Sequence, residues 1–272
     1  ALIYPDRISA NVHALKRRAG THHAMIVVKA DGYGHGSVTA ARAGIEGGAS
    51  WLGTADIDEA MVLRRAGLTQ PALAWLVGPE SDVAGAIDND IDLGVSSLEQ
   101  LEFVAHHSSP AHPVFVHLKI DSGMGRGGVV EPLWEQLARS AYAHQAAGRI
   151  VVRGVFTHLS LHSEHSDRSQ LERFERALSV IRGTGLDPEL THGGASVGSV
   201  RTPGAGYDLA RFGIAAYGFP MTPEHDDLGL RPAMRLSGQV IMTKKLPAGH
   251  GVGYDLTYTT QSDTTMAVVP LG

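Results

Sequence analysis

The segment Met25-Ile26-Val27-Val28-Lys29-Ala30-Asp31-Gly32-Tyr33-Gly34-His35-Gly36-Ser37 runs from an apolar stretch into a lysine and then a turn with glycine at every second position. Met25–Lys29 reads as a strand buried on both faces, and such strands belong to parallel sheets covered by helices. Similar runs recur at Trp51–Ala55, Ala72–Val77, Leu93–Ser96, Val114–Ile120, Val151–His158 and Arg211–Tyr217. Amphipathic stretches separate them. Asp56–Ala66 has its carboxylates early, its arginines late and Gly67 as a stop, the order that helix caps and the helix dipole favour. Pro132–Ala146 and Arg168–Arg182 also read as helices. Seven or eight strand-then-helix units predict a parallel sheet, and the number of units suggests a (β/α)8 TIM-type barrel rather than an open sheet; periodicity alone does not settle that choice.

The rhythm changes near Leu236. The barrel is expected over residues 1–235. Residues 236–272 read as short alternating strands at Gly238–Leu246, Gly253–Thr260 and Met266–Gly272. They form the N-terminal part of a β-strand domain, as if cut short, with too few strands to close a core of its own. The 272 residues carry a net charge of −5 and no basic run, which makes nucleic acid and anionic membrane poor partners. No cysteine occurs. Disulfides, thiolate metal sites and cysteine nucleophiles are thereby excluded, and a cytoplasmic protein fits best. No apolar run is long enough to span a membrane, and no signal-peptide pattern opens the chain.

A lysine at the C-terminal end of a barrel strand faces the mouth where barrel active sites lie. Partly withdrawn from water, its amine loses its proton more readily and can attack an aldehyde. The glycines let backbone approach a ligand, and Tyr33 can donate a hydrogen bond to a phosphate. No GxxxxGK[ST] pattern is present, so this is not a P-loop. Spacing alone equally suits a snorkelling lysine beside an ordinary turn.

The Val27–Gly36 stretch, VVKADGYGHG, resembles the cofactor-lysine signature of the alanine racemases. The resemblance continues through LKIDSGMGRGG (Leu118–Gly128), FTHLS (Phe156–Ser160), THGGAS (Thr191–Ser196), ARFGIAAYG (Ala210–Gly218) and GVGYDLTYT (Gly251–Thr259). Six motifs in one collinear order cover nearly the whole chain. The resemblance implies a barrel that binds pyridoxal 5'-phosphate, a following β domain and a head-to-tail homodimer. The implied activity is interconversion of L- and D-alanine, supplying D-alanine for bacterial cell walls. On this resemblance Lys29 holds the cofactor and moves a proton on one face of the substrate Cα. Tyr254 enters from the partner subunit as the base on the other face, where a neighbouring positive charge must lower its pKa from the ordinary value near ~10.

The resemblance assigns the remaining roles as well. Arg126 meets the substrate carboxylate, and Lys119, carbamylated in many members of the family, helps place it. Tyr33, Ser196 and the backbone amides of Gly213 and Ile214 contact the phosphate. His158 stacks beneath the ring, and His192 buttresses Arg211, which faces the pyridine nitrogen. Arginine cannot accept that nitrogen's proton, so the ring draws electrons less strongly than one paired with a carboxylate. Fast return of the proton to Cα, hence racemisation over transamination, follows. Ala195 stands where the family usually has asparagine, so one polar contact is missing or replaced by water.

Other patterns in the sequence compete with this one. Gly123-x-Gly125-x-x-Gly128 matches a dinucleotide fingerprint, but Pro132 delays the next helix and no second strand ends in an acid about twenty residues on. Gly194-x-Ser196-x-Gly198 matches a hydrolase nucleophile elbow, although Pro203, Gly204 and Gly206 leave no room for a long helix. His158, His162 and His165 lack the carboxylate partner pattern of a metal site, and no metal is expected. A racemase of broader, serine-type specificity and a non-catalytic pyridoxal-phosphate carrier share the barrel motifs; the tyrosine of Gly253-Tyr254-Asp255 argues against the carrier.

Overall fold

The computed structural model describes residues 1–202, 204–219 and 228–271. They fall into two units, Ile3–Ala233 and a second made of Ala1–Leu2 with Met234–Gly272. In the first unit eight parallel strands form one sheet: β1 (His23–Val27), β2 (Trp51–Thr54), β3 (Ala72–Ala74), β4 (Ile91–Val95), β5 (Val114–Lys119), β6 (Ile150–Phe156), β7 (Leu190–His192) and β8 (Leu209–Phe212). Strands β1 to β7 each pair with their sequence neighbours, and β8 pairs with β1. Between β7 and β8 run a parallel bridge, Ala195 to Arg211, with the Arg211 amide donating to the Gly194 carbonyl at 3.2 Å, and a bond from the Asp208 amide to the Thr191 carbonyl at 3.0 Å. The sheet is thus nearly closed into the expected barrel.

The strands form where apolar runs can be covered on both sides. Every residue of β2 and of β4 is buried. Helix Leu98–His106 turns Leu101 and Val104 inward, and helix Glu164–Gly183 turns Phe174, Leu178 and Ile181 inward. Together with Val114, Val116 and Leu118 they make a continuous apolar layer. Helix starts are capped by side chains, at Asp56 as the sequence suggests and also at Ser97 and Ser163: these accept from the Glu59, Gln100 and Ser166 amides at 2.9, 3.2 and 3.1 Å. Each such cap satisfies an N–H that has no partner within its helix. Inside the barrel Met25, Val27, Trp51, Leu73, Leu190 and Leu209 pack together. Glycine at position 53 is required there, because a Cβ would come within 2.7 Å of both Met25 Sδ and Trp75.

Two readings of the sequence need correction. The expected strand Arg211–Tyr217 stops at Phe212, and Ile214–Tyr217 is a 3-10 helix. An apolar run cannot by itself distinguish the two. Here the Tyr217 hydroxyl donates to the Val27 carbonyl at 2.8 Å, which fixes the turn. Strand β7, three residues long, was not foreseen. Among the described residues no helix is long and apolar enough to cross a membrane.

The second unit contains two antiparallel pairs, β9 (Met242–Leu246) with β12 (Thr264–Val268), and β10 (Gly251–Val252) with β11 (Tyr258–Thr259). The strand expected at Gly253–Thr260 is interrupted by a 3-10 turn, Tyr254–Leu256, with Asp255 at φ 58°. Leu246 and Thr260 are its buried side chains among the described residues.

Candidate active site

A cavity of about 490 Å³ lies among the C-terminal ends of the barrel strands. Val27 ends β1 with Lys29 two residues on, Trp75 and Leu76 follow β3, Lys119 ends β5, and Phe156 ends β6 with His158 two residues on. Ala195–Val197 follow β7, and Arg211, Gly213 and Ile214 lie at the end of β8. Lys29, Lys119, Arg126 and Arg211 all line it, and among the described residues no Asp or Glu does. The cavity is built for an anion.

Lys29 opens an unusual turn. Ala30, Asp31, Gly32 and Tyr33 all have left-handed backbone, with φ of 51°, 50°, 63° and 54°. Non-glycine residues pay about 1–2 kcal/mol each for this conformation, so three of them need external support. Glu59 supplies it, accepting the Ala30 amide at 2.7 Å with one carboxylate oxygen and the Ala55 amide at 2.8 Å with the other. Asp31 Oδ1 accepts the Ser37 amide at 2.7 Å. The Lys29 side chain itself is exposed at the mouth, not partly withdrawn from water as the sequence suggested.

Arg211 is the opposite case, 3 % exposed. Nη1 donates to His192 Nδ1 at 2.7 Å and to the His192 carbonyl at 3.1 Å. Nη2 donates to the Thr157 and Gly193 carbonyls at 2.8 and 3.1 Å and approaches His158 Nδ1 at 3.4 Å. Burial lowers the guanidinium from its ordinary range to about 9, which leaves it protonated at neutral pH. His158 is pushed down to about 3 by burial first, then by Arg211, Arg126, Lys119 and Lys29, so it faces the cavity as a neutral ring. Burial, followed by Arg126 and Arg211, also lowers Lys119, with Asp121 opposing.

Tyr33, Ser196, Gly213 and Ile214 gather on one side of the cavity. A Cβ on Gly213 would stand 2.6 Å from the Tyr33 hydroxyl, so this hydroxyl packs directly over glycine backbone. The Gly213 amide, expected to face a phosphate, instead donates to Ser196 Oγ at 3.1 Å. His192 does not line the cavity; it is fully buried and touches Arg211. Arg126 lines the cavity and is exposed. Tyr254 belongs to the second unit and is 97 % exposed.

The rival patterns fare differently. The loop of Gly123, Gly125 and Gly128 folds back on its own strand through an Ile120–Val129 bridge, and the following α-helix opens at Trp134, away from the glycines. Ser196 does start a helix, but one of six residues, Ser196–Arg201; Pro203 lies outside the described residues. Reading the sequence missed Glu59, and it missed Asp92 and His117, two polar residues fully buried in the barrel. A signal existed for the last two: each interrupts an apolar strand.

Comparison with known proteins bears directly on this architecture. The alanine racemase N-terminal domain family matches residues 3–220, and the alanine racemase C-terminal domain family matches residues 233–272. The alanine racemase of Thermobifida fusca is 45 % identical over 271 residues, 98 % of this chain and 72 % of that protein. That of Mycolicibacterium smegmatis is 37 % identical, covering 97 % of this chain and 69 % of the other. The crystallised alanine racemase from Streptomyces coelicolor A3(2) superposes with a TM-score of 0.93 at 38 % identity, over 99 % of this chain and 74 % of that one. The enzyme from D-cycloserine-producing Streptomyces lavendulae gives 0.90 at 40 %, over 97 % and 71 %. Fold, cavity and likenesses define an amino-acid racemase, an isomerase built on a parallel barrel. The chain belongs to the alanine racemase family.

Proposed function

We propose that this chain interconverts L- and D-alanine with bound pyridoxal 5'-phosphate and two bases, Lys29 and Tyr254, in a head-to-tail homodimer of the bacterial cytoplasm, with D-alanine feeding cell-wall synthesis. The observation that carries the reading is the cavity lined, among the described residues, by four cations and no carboxylate, with a buried arginine at its floor. The residues fit a phosphorylated pyridine aldehyde. The volume lies within the range of about 300–1,000 Å³ that suits cofactors, and the Tyr33 hydroxyl over Gly213, beside Ser196, makes a small cradle that any Cβ at position 213 would fill.

When bound, the cofactor supplies an electron-withdrawing ring that lowers the cost of removing the Cα proton. Lys29 would hold it through its amine and then move a proton at Cα on one face. Tyr254, exposed and therefore available to a second copy, would move a proton on the other. Tyr33 and Ser196 would hold the phosphate, and neutral His158 would lie against the ring. Arg126 would bind the substrate carboxylate, with Lys119 beside it placing the guanidinium. Arg211 would offer only donors to the ring nitrogen. It therefore limits electron withdrawal and favours proton return to Cα, which is racemisation.

The test is direct. Protein loaded with pyridoxal phosphate should show an absorbance band that borohydride bleaches, with the added mass on the peptide containing Lys29. In deuterated water L-alanine should exchange its Cα proton and yield D-alanine. Bound cofactor without Cα exchange would indicate a carrier; a colourless protein would remove the cofactor reading altogether.

A further inference from the structure

Beneath the cavity, the barrel interior holds a row of polar side chains that an apolar core does not require. Arg211 Nη1 donates to His192 Nδ1 at 2.7 Å, His192 Nε2 lies 2.9 Å from His117 Nδ1, and His117 Nε2 lies 3.1 Å from Asp92 Oδ2. Asp92, His117 and His192 are all 0 % exposed. At the far end Arg153 Nη1 donates to both Asp92 oxygens, at 2.9 and 3.0 Å, from a partly exposed side chain.

The two ends fix the direction of every bond between them. A guanidinium has only donors and a carboxylate only acceptors. His192 Nδ1 must therefore be bare, so His192 carries its proton on Nε2 and donates to His117. His117 Nδ1 is then bare, and its Nε2–H donates to Asp92. Working back from Asp92 gives the same assignment. All the hydrogen bonds point from Arg211 toward Asp92, with both rings neutral. A second proton on either imidazole would set two N–H groups face to face. Burial first, then Arg211 and His117, holds His192 well below the ordinary imidazole range, in the same sense.

The surroundings are shaped to this row. His192 stacks on Phe156 with centroids 4.9 Å apart and planes 3° from parallel, and Trp51 presents an edge contact to His117 at 5.5 Å. A Cβ on Gly154 would collide with His117 Nδ1, so glycine at that position clears the space for the ring. Buried ionic rows of this kind add little net stability over apolar residues of equal volume, and their best-attested use is to specify one arrangement.

We infer that Asp92 and His117 are positioning residues of the racemase site: through His192 they hold Arg211 in a single orientation and a single hydrogen-bond polarity toward the bound cofactor. The inference rests on the reading above in which Arg211 faces the cofactor ring. Its first test needs no cofactor. Nitrogen-resolved imidazole spectra of the cofactor-free protein at neutral pH should show His117 and His192 each as the single neutral tautomer with the proton on Nε2. A proton on Nδ1 of either ring, or a charged ring, overturns the inference.

The second test uses the loaded enzyme. Asp92→Asn should lower kcat by about tenfold or more, the scale typical of groups that orient a ligand through an intermediary, leave KM nearly unchanged, and shift the absorbance of bound cofactor. Arg153→Gln, altered at the partly exposed end, should move kcat and absorbance in the same direction by less, and it serves if Asp92→Asn does not fold. A normal wild-type cofactor band with variants that match wild type in kcat and absorbance sinks this inference alone. A wild type that binds no cofactor sinks the cavity reading and the inference with it.

Discussion

Lys29 and Arg211 line one cavity, yet the barrel treats them in opposite ways. At Lys29 the backbone is tied down and the side chain exposed: a left-handed turn clamped by Glu59 and Asp31 projects the amine outward. At Arg211 the side chain is rigid, with its donors directed at carbonyls and at His192. The contrast matches what each is asked to do. An amine that must hold a ligand, release it and move a proton needs freedom at its tip and precision at its root. A cation that only sets an electronic environment needs no freedom.

The sharpest way to break the comparison is to remove each end in turn. Lys29→Ala should cut racemisation by at least about 10²–10⁴-fold, the scale of a lost acid–base group, and abolish borohydride labelling, while the urea midpoint barely moves because the side chain is exposed. Arg211→Leu should fail on both counts. It strands the bare His192 Nδ1 and the Thr157 and Gly193 carbonyls in the interior, at a cost of about 3–5 kcal/mol in urea unfolding, and it also lowers activity. If Arg211→Leu proves as stable as Lys29→Ala, the contrast is wrong.

A subtler test acts on the root of the lysine. Glu59→Ala deprives the Ala30 and Ala55 amides of their acceptor and should cost about 1–3 kcal/mol. It should also lower kcat while leaving the Lys29 side chain chemically intact; unchanged kcat would mean that the turn holds itself. The smallest effect concerns acidity. The folded pKa of His158 is depressed to about 3, below the ordinary 6.5. Between those values the unfolded chain binds the extra proton, so this contribution to stability is full above about pH 6.5 and declines as pH falls toward 3. His158→Gln should therefore flatten the acid limb of the stability profile, read as urea midpoint against pH.

These features were unequally visible in the sequence. The apolar runs of the first six strands were legible because burial on both faces demands them, and Lys29 stood out as a charge ending such a run. Strand β7, Leu190–His192, is too short to show any periodicity. The left-handed turn was hidden because Ala30, Asp31 and Tyr33 carry no mark of it; only Gly32 did. Glu59 looked like an ordinary acid in a helix's first turn, and nothing local to it reveals that it reaches two loops. Asp92 shows in the sequence only as a charge between the apolar Ile91 and Leu93. Its partners His117 and Arg153 are 25 and 61 residues away, so only the folded barrel unites them.

Where β7 meets β8, the links are the bridge from Ala195 to Arg211 and the Asp208 amide donating to the Thr191 carbonyl. The residue that charges the cavity floor is thus also one of the links that close the cylinder. Its guanidinium spans the same gap, donating to the His192 and Gly193 carbonyls at the end of β7. Occupancy of the cavity should accordingly slow amide exchange along Leu209–Phe212 more than along β4, on the far side of the ring, coupling cargo to closure through one side chain.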